Sequence, residues 1–169
     1  TPEAARALLR RSHTTLAAMM VRQGDADAML CGVVGRYDAH LEHVRDIIGT
    51  RPEAKCLATM NALMLEKHTL FIADTYINED PSAEQLADIA AMAVEEVRRF
   101  GVQPRVAFLS HSNFGSSKRA SALKMRAARD LFVARHPEVP ADGAMHGDAA
   151  ISEELRDTAL VGSTLTGSA

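Results

Sequence analysis

Apolar residues recur along this chain at two spacings, one helical and one strand-like. Leu8, Leu9, Leu16, Met19 and Met20 share one helical face and predict a helix over 3–22, with Gly24 as its stop. DAMLC, 27–31, is a short apolar run before Gly32 and predicts a buried strand. Leu41, Val44 and Ile48 form one stripe of a helix over 37–48, closed by Gly49. KCLATM, 55–60, and TLFIAD, 69–74, predict two strands. The link between them, NALMLEKH, is too short for a parallel crossover, so an antiparallel hairpin is expected.

The clearest helix spans 81–100, with Leu86, Ile89, Ala90, Ala93, Val97 and Phe100 on one stripe. Asp80 is placed to cap it and Pro81 suits its first position. Arg98 and Arg99 sit in the last turn, where the helix dipole favours cations, and Gly101 ends it. RVAFLS, 105–110, is an unbroken apolar run, as expected of a strand covered by helices on both faces. A basic helix over 118–135, a strand within 139–145 and a short helix over 152–158 complete the pattern. The alternation predicts an α/β fold: a three-layer αβα domain with a mixed, mostly parallel sheet. The tail LVGSTLTGSA, 160–169, carries no core pattern and reads as a linker, or as a chain cut before its next strand.

Composition narrows the classes. At 169 residues one domain is the expectation, and 47% hydrophobic with 24% charged residues is globular rather than disordered. A net charge of −3 gives no electrostatic footprint for nucleic acid or for an acidic membrane. No apolar run is long enough for a transmembrane helix, and the charged start TPEAARALLRR has no signal-peptide core. Cys31 and Cys56 lie in separate apolar runs, which suggests buried thiols in a reducing, cytoplasmic setting. The eight methionines read as core filler, and charged faces such as EEVRR as solvent faces.

Chemistry is most concentrated in FLSHSNFGSS, 108–117, where an apolar strand runs into small polar residues before a basic helix. Ligands of open α/β sheets bind beyond the carboxyl ends of strands, and a helix start offers free N–H groups to an anion. Gly115 permits close backbone approach. Ser110, Ser112, Asn113, Ser116 and Ser117 supply short donors, and Lys118 and Arg119 add charge. A phosphate or diphosphate would fit. The other reading is a plain strand-to-helix turn capped by Ser116 or Ser117, which spacing alone favours. His40 and His43 share a helix face without an evident third metal ligand, so solvated or half-buried side chains are expected. His111, His146 and Asp148 converge only if the strands preceding them are neighbours.

The motifs DAMLCGVVGRYDAHLEHV, FIADTYINEDPSAEQLADIA, RRFGVQPRVAFLSHSNFGSS, KMRAA and DGAMHGDAAISEELR resemble, in order and spacing, the phosphotransacetylase (phosphate acetyl/butyryltransferase) family. SHSNFGSS with MHGDAA is most similar to the C-terminal phosphotransacetylase-like region of bacterial NADP-dependent malic enzymes. The resemblance implies a two-domain α/β architecture of the isocitrate/isopropylmalate dehydrogenase type with its site in the interdomain cleft. This chain corresponds to the second domain alone, as a piece of a longer protein, with 160–169 beginning a link to the missing domain. The Ser-Arg…Asp catalytic residues of acetyltransferases fall outside it, so no catalytic residue is assigned and the piece alone is expected to be inactive. The family's loop resembles S-x-S-T-K-G-S, whereas Asn113 and Phe114 stand where Thr and Lys would be. The loss of that Lys removes a cation and argues against transferase chemistry.

The resemblance therefore implies a regulatory and oligomerisation module that binds acetyl-CoA. The alternative is part of a working phosphate acetyltransferase. Ser112, Asn113, Gly115 and Ser116 are the first candidates to line an acyl-CoA cleft, with Asn78 and Asp148 behind them. The expected partners are acetyl-CoA, further copies of the chain, and the missing first and malic enzyme domains. NADP and a divalent metal are expected only in those missing domains.

Overall fold

Ser12 divides the first helical stretch. Its backbone is extended and its hydroxyl accepts from Thr15 N at 3.1 Å, which caps a new helix. Two helices result, α1, Pro2–Arg11, and α2, His13–Gln23, in place of the single one expected over 3–22. The computed structural model describes residues 1–66, 68–159 and 163–169. The chain divides into two units, 1–54 and 55–169. The first unit is completed by α3, Tyr37–Ile47, where the apolar stripe predicts a helix. Arg22 Nη1 on α2 donates to Ile47 O at the end of α3. The segment 27–31 is not a strand: it pairs with nothing among the described residues, and Leu30 is 101% exposed. Strand propensity without a ladder partner does not make a strand.

In the second unit, β1, Met60–Met64, and β2, Thr69–Ala73, form the expected antiparallel hairpin, with Met60 opposite Ala73 and Met64 opposite Thr69. Its first strand is displaced from 55–60 into the stretch read as a link. Leu65 N donates to His68 O at 2.9 Å, next to the Met64–Thr69 pair at the end of the ladder. The next helix, α4, Ala83–Arg99, is capped by Ser82 rather than Asp80. Ser82 and Gln85 form a reciprocal capping box, which satisfies two backbone donors where Asp80 would satisfy one. Asp80 instead pairs with Lys124.

The second half of this unit is β3, Val106–Leu109; α5, Ala120–Arg135; β4, Ala141–Met145; α6, Gly147–Ile151; and α7, Glu153–Ala159. β3 and β4 are parallel, with a register shift after Phe108. The two strand pairs do not join: among the described residues they form separate two-stranded sheets, one antiparallel and one parallel, where one mixed sheet is expected. The fold is a mixed α/β arrangement with small sheets.

Two apolar clusters flank the β3–β4 pair. Phe108 enters one, with Ala87 and Val94 of α4, Ala128 and Phe132 of α5, Val139 and Ala141. Phe108 and Phe132 meet at a ring-centroid distance of 5.8 Å. Ala107 packs against the other cluster, built from Met145, Ala149, Ala150 and Leu165. All five residues of β4 are buried. The strands approach closely at Gly143, where φ is +139° and a methyl group would lie 2.6 Å from Phe108 O. The core filled by methionine is narrower than expected: Met145 is buried, but Met64 on the hairpin is 85% exposed.

Residues 163–169 carry core contacts that the sequence pattern did not show; 160–162 lie outside the described residues. Leu165 is 2% exposed. Arg156 on α7 is wholly buried, and its guanidinium donates to Ala149 O, Ala150 O, Leu165 O and Gly167 O at 2.6 to 3.3 Å. Asp142 accepts from Ser163 Oγ and Thr164 N, and Arg105 Nη1 donates to Thr166 O. One apolar residue among small polar ones gives no periodicity, so this segment is legible only through its partners. Arg156→Leu is expected to lower the unfolding free energy by about 3 kcal/mol, because four carbonyls lose their donor in a buried setting. Urea denaturation measures this, and a loss under about 1 kcal/mol would mean that those carbonyls find other donors.

Candidate functional site

The loop after β3 is folded back onto the end of β4. Ser110 N donates to Met145 O at 2.8 Å and Phe114 N to Ala144 O at 2.7 Å. Ser116 N closes a turn on Asn113 O at 3.0 Å. Phe114 adopts φ +45°, a strained conformation for an aromatic residue, and Gly115 follows at φ +90°. The strain has a visible compensation, since Phe114 packs against the apolar cluster around Met145 and Leu165.

The named residues divide into two groups. Ser112, Asn113, Gly115 and Ser116 share this loop. Ser112 is 6% exposed, and its hydroxyl is buried without a hydrogen-bond partner, as is that of Ser110. Such an orphan costs about 1–3 kcal/mol. Asn113 bridges to the turn after β4: its Oδ1 accepts from His146 N at 2.7 Å, and its Nδ2 lies 3.5 Å from His146 Nδ1. A methyl group on Gly115 would lie 3.1 Å from Arg126 Nη1, so the Arg126 guanidinium lies across the glycine backbone. Ser116 is exposed.

Asp148 and Asn78 are not tied into that group. Asp148 is exposed, and its carboxylate accepts from Ala149 N. Asn78 belongs to a knot at the end of the hairpin. Its side chain donates to Leu57 O at 2.8 Å and to Asp74 Oδ2 at 2.6 Å, and its backbone N also donates to Asp74 Oδ2. Thr59 completes the knot through its N and its hydroxyl, both donating to Asp74 Oδ1. Burial pushes the Asp74 carboxyl up, but the hydrogen bonds from Thr59 and Asn78 outweigh it and hold the group down at about 2. The sequence reading treats Asp74 only as the end of a strand and so misses its role. The signal is an acid at a strand end followed four residues later by Asn.

The helix after the loop starts differently from the simple turn reading. Its N-cap is Arg119, which makes no side-chain cap bond, and Ser117 Oγ accepts from Arg119 N at 3.2 Å. Neither Ser116 nor Ser117 is the cap residue. His111 reaches Ser117 Oγ at 3.4 Å rather than His146 or Asp148, so the two histidines and the acid make no bonded triad. His40 spends both ring nitrogens, on Thr14 Oγ1 at 2.7 Å and Val34 O at 2.9 Å. Among the described residues no three His, Cys, Asp or Glu gather as a metal would require. Cys31 is exposed and Cys56 half-buried, so neither is the buried thiol expected. Burial and the nearby Asp88 and Asp74 carboxylates raise the Cys56 pKa, which keeps the thiol protonated and unreactive at neutral pH. No helix among the described residues is long and apolar enough to cross a membrane.

Residues 1–169 match the family model described as Phosphate acetyl/butaryl transferase. The chain belongs to that family. It is 50% identical over 169 residues to the NADP-dependent malic enzyme of Escherichia coli (strain K12), covering all of this chain and 22% of that protein. It is 36% identical over 156 residues to the phosphate acetyltransferase of Nitratidesulfovibrio vulgaris, covering 92% of this chain and 22% of that protein. Among solved structures it is similar to a phosphotransacetylase from Streptococcus pyogenes, with TM-score 0.82 and 29% identity, covering 92% of this chain and 48% of that one. The chain thus spans about a fifth of these curated relatives and about half of that solved structure.

The knot around Asp74 can be tested by pH. The carboxyl of Asp74 is depressed from 3.8 to about 2, so the stability it confers is fully present above 3.8 and is lost as pH falls toward 2. Asp74→Asn is expected to remove about 1–2 kcal/mol of stability at neutral pH and to flatten the stability profile between pH 4 and 2. Denaturant titrations across that window check it. An unchanged slope in the variant would place the acid sensitivity elsewhere.

Proposed function

We propose that this chain is the acetyl-CoA-binding regulatory and assembly module of an NADP-dependent malic enzyme, a protein that oxidatively decarboxylates malate to pyruvate. The observation that carries the reading is the state of residue 114. Where the family's loop resembles S-x-S-T-K-G-S, the position of the Lys holds Phe114, packed into the apolar cluster of Met145 and Leu165. A side chain so placed offers no charge to a phosphoryl group or thioester, so the loop is suited to holding a ligand and not to transferring its acyl group. The identity of 50% with a malic enzyme, over the whole chain, supports the same parent.

On this reading the two small sheets belong to a larger three-layer αβα domain of the isocitrate/isopropylmalate dehydrogenase type, completed by the rest of the longer protein. Hydride transfer, NADP and the divalent metal are assigned to other regions of that protein, and the whole is cytoplasmic. Ser112, Asn113, Gly115 and Ser116 line the acyl-CoA cleft, with Asn78 and Asp148 outside its centre. Self-association follows from apolar side chains left open to solvent in the first unit, such as Leu30, Val33 and Val34. A second reading, part of a working phosphate acetyltransferase, draws on the 36% identity to such an enzyme.

In the full-length protein, acetyl-CoA is expected to change the rate of NADP-dependent malate oxidation. Ser116→Asp should weaken that response, because an acid in the cleft repels an anionic ligand. The assay is malate-dependent NADP reduction across a range of acetyl-CoA. No response in the unaltered protein, together with formation of acetyl phosphate from acetyl-CoA and phosphate, would favour the transferase reading.

A further inference from the structure

Four basic side chains lie within α5, and three have acidic partners. Lys124 pairs with Asp80, Arg129 with Asp130 and Asp142, and Arg135 with Asp88. Arg126 makes no hydrogen bond or ion pair with any described residue. It is not on the solvent face. Ala122, wholly buried, lies one turn before it, and Arg129, which reaches Asp142 on β4, lies three residues after it. Arg126 thus points from the sheet-facing stripe of α5 at the loop after β3, half-buried and unpaired.

Its guanidinium lies beside Gly115. A methyl group there would sit 3.1 Å from Nη1, 3.4 Å from Cζ and 3.9 Å from Nη2. Residue 115 has a φ of +90°, which favours glycine. The same loop carries the hydroxyls of Ser110 and Ser112, both buried without a hydrogen-bond partner. Lys118 and Arg119 lead into the helix, whose first turn adds its own partial positive charge. A half-buried guanidinium without an acceptor is costly unless an anion completes it.

We infer that Arg126 is the anchoring cation of an anion subsite in this loop, and that it takes a phosphoryl group of the bound ligand. The inference rests on the acyl-CoA reading for the identity of that ligand, but the subsite itself rests on Arg126. A phosphoryl group suits it better than a neutral thioester, because guanidinium donors pair in parallel with phosphate oxygens. The subsite also answers the loss of a loop cation at Phe114. The charge is supplied from the neighbouring helix and lies over the next residue, while residue 114 serves the apolar core.

The test compares the full-length protein with its Arg126→Gln variant by calorimetric titration. The probes are acetyl-CoA, S-acetylpantetheine, which lacks the nucleotide phosphates, and inorganic pyrophosphate. Because Arg126 has no partner among the described residues and its half-buried charge is costly without an acceptor, Arg126→Gln should melt at no lower temperature than the unaltered protein. Affinity for acetyl-CoA should fall about 10- to 100-fold in the variant, the range for losing a charge-assisted hydrogen bond. Affinity for S-acetylpantetheine should be the same in both proteins. Equal acetyl-CoA affinity in the two proteins would overturn the assignment. So would a matching loss for S-acetylpantetheine, which would make Arg126 a support of the loop's shape. If the unaltered protein binds no acetyl-CoA, the acyl-CoA reading fails, and pyrophosphate decides the subsite. Pyrophosphate binding that is lost in Arg126→Gln upholds an anion site, and no pyrophosphate binding to the unaltered protein overturns it.

Discussion

The close approach of β3 and β4 at Gly143 is the constraint on which the second unit depends. No side chain fits between Gly143 and the backbone of Phe108, since even a methyl group would lie 2.6 Å from Phe108 O. That contact sets Phe108 opposite Gly143 and turns the ring toward Phe132 and the helices α4 and α5. It also brings the ends of both strands together. Ser110 N and Phe114 N then find the carbonyls of Met145 and Ala144, so the loop after β3 is folded against β4 instead of extending into solvent. Hydrogen bonding to a neighbouring strand gives a polar loop a fixed shape before any ligand arrives, which lowers the entropy cost of binding.

The chemistry of the loop follows from that fixed shape. Asn113 is committed to the turn after β4, Phe114 to the apolar cluster, and Gly115 lies beside the Arg126 guanidinium. Arg126 is left without a hydrogen-bond or ion-pair partner among the described residues. The knot around Asp74 is the opposite case. There both carboxylate oxygens are already taken by four donors, so the group holds the hairpin end together and has little left to offer a ligand.

The sequence made the second unit largely legible and the first less so. Apolar stripes identify α3 and α4, a basic run identifies α5, and short apolar runs identify β2, β3 and β4. The hairpin was legible as a hairpin, but its register depends on a tight turn at Leu65 and His68 that carries no glycine or Asn-Gly signal. DAMLC has strand composition and no strand, since pairing is a property of two segments and not of one. Ser12 was invisible as a break because the apolar stripe continues on both sides of it. At the site, the loop could be read from its serines and glycine. Arg126 and Arg156 could not, for a charged residue in a charged helix looks solvated until its surroundings are known.

The claim that the β3–β4 contact builds the loop is tested most directly by amide hydrogen exchange on Gly143→Ala. The account predicts that the amides of Ser110 and Phe114 lose protection by at least about tenfold, a local opening of some 1.4 kcal/mol, while Leu65 in the hairpin turn keeps its own. Unchanged protection at Phe114 in the variant would contradict it, because the loop would then hold its shape without the strand contact that is said to impose it.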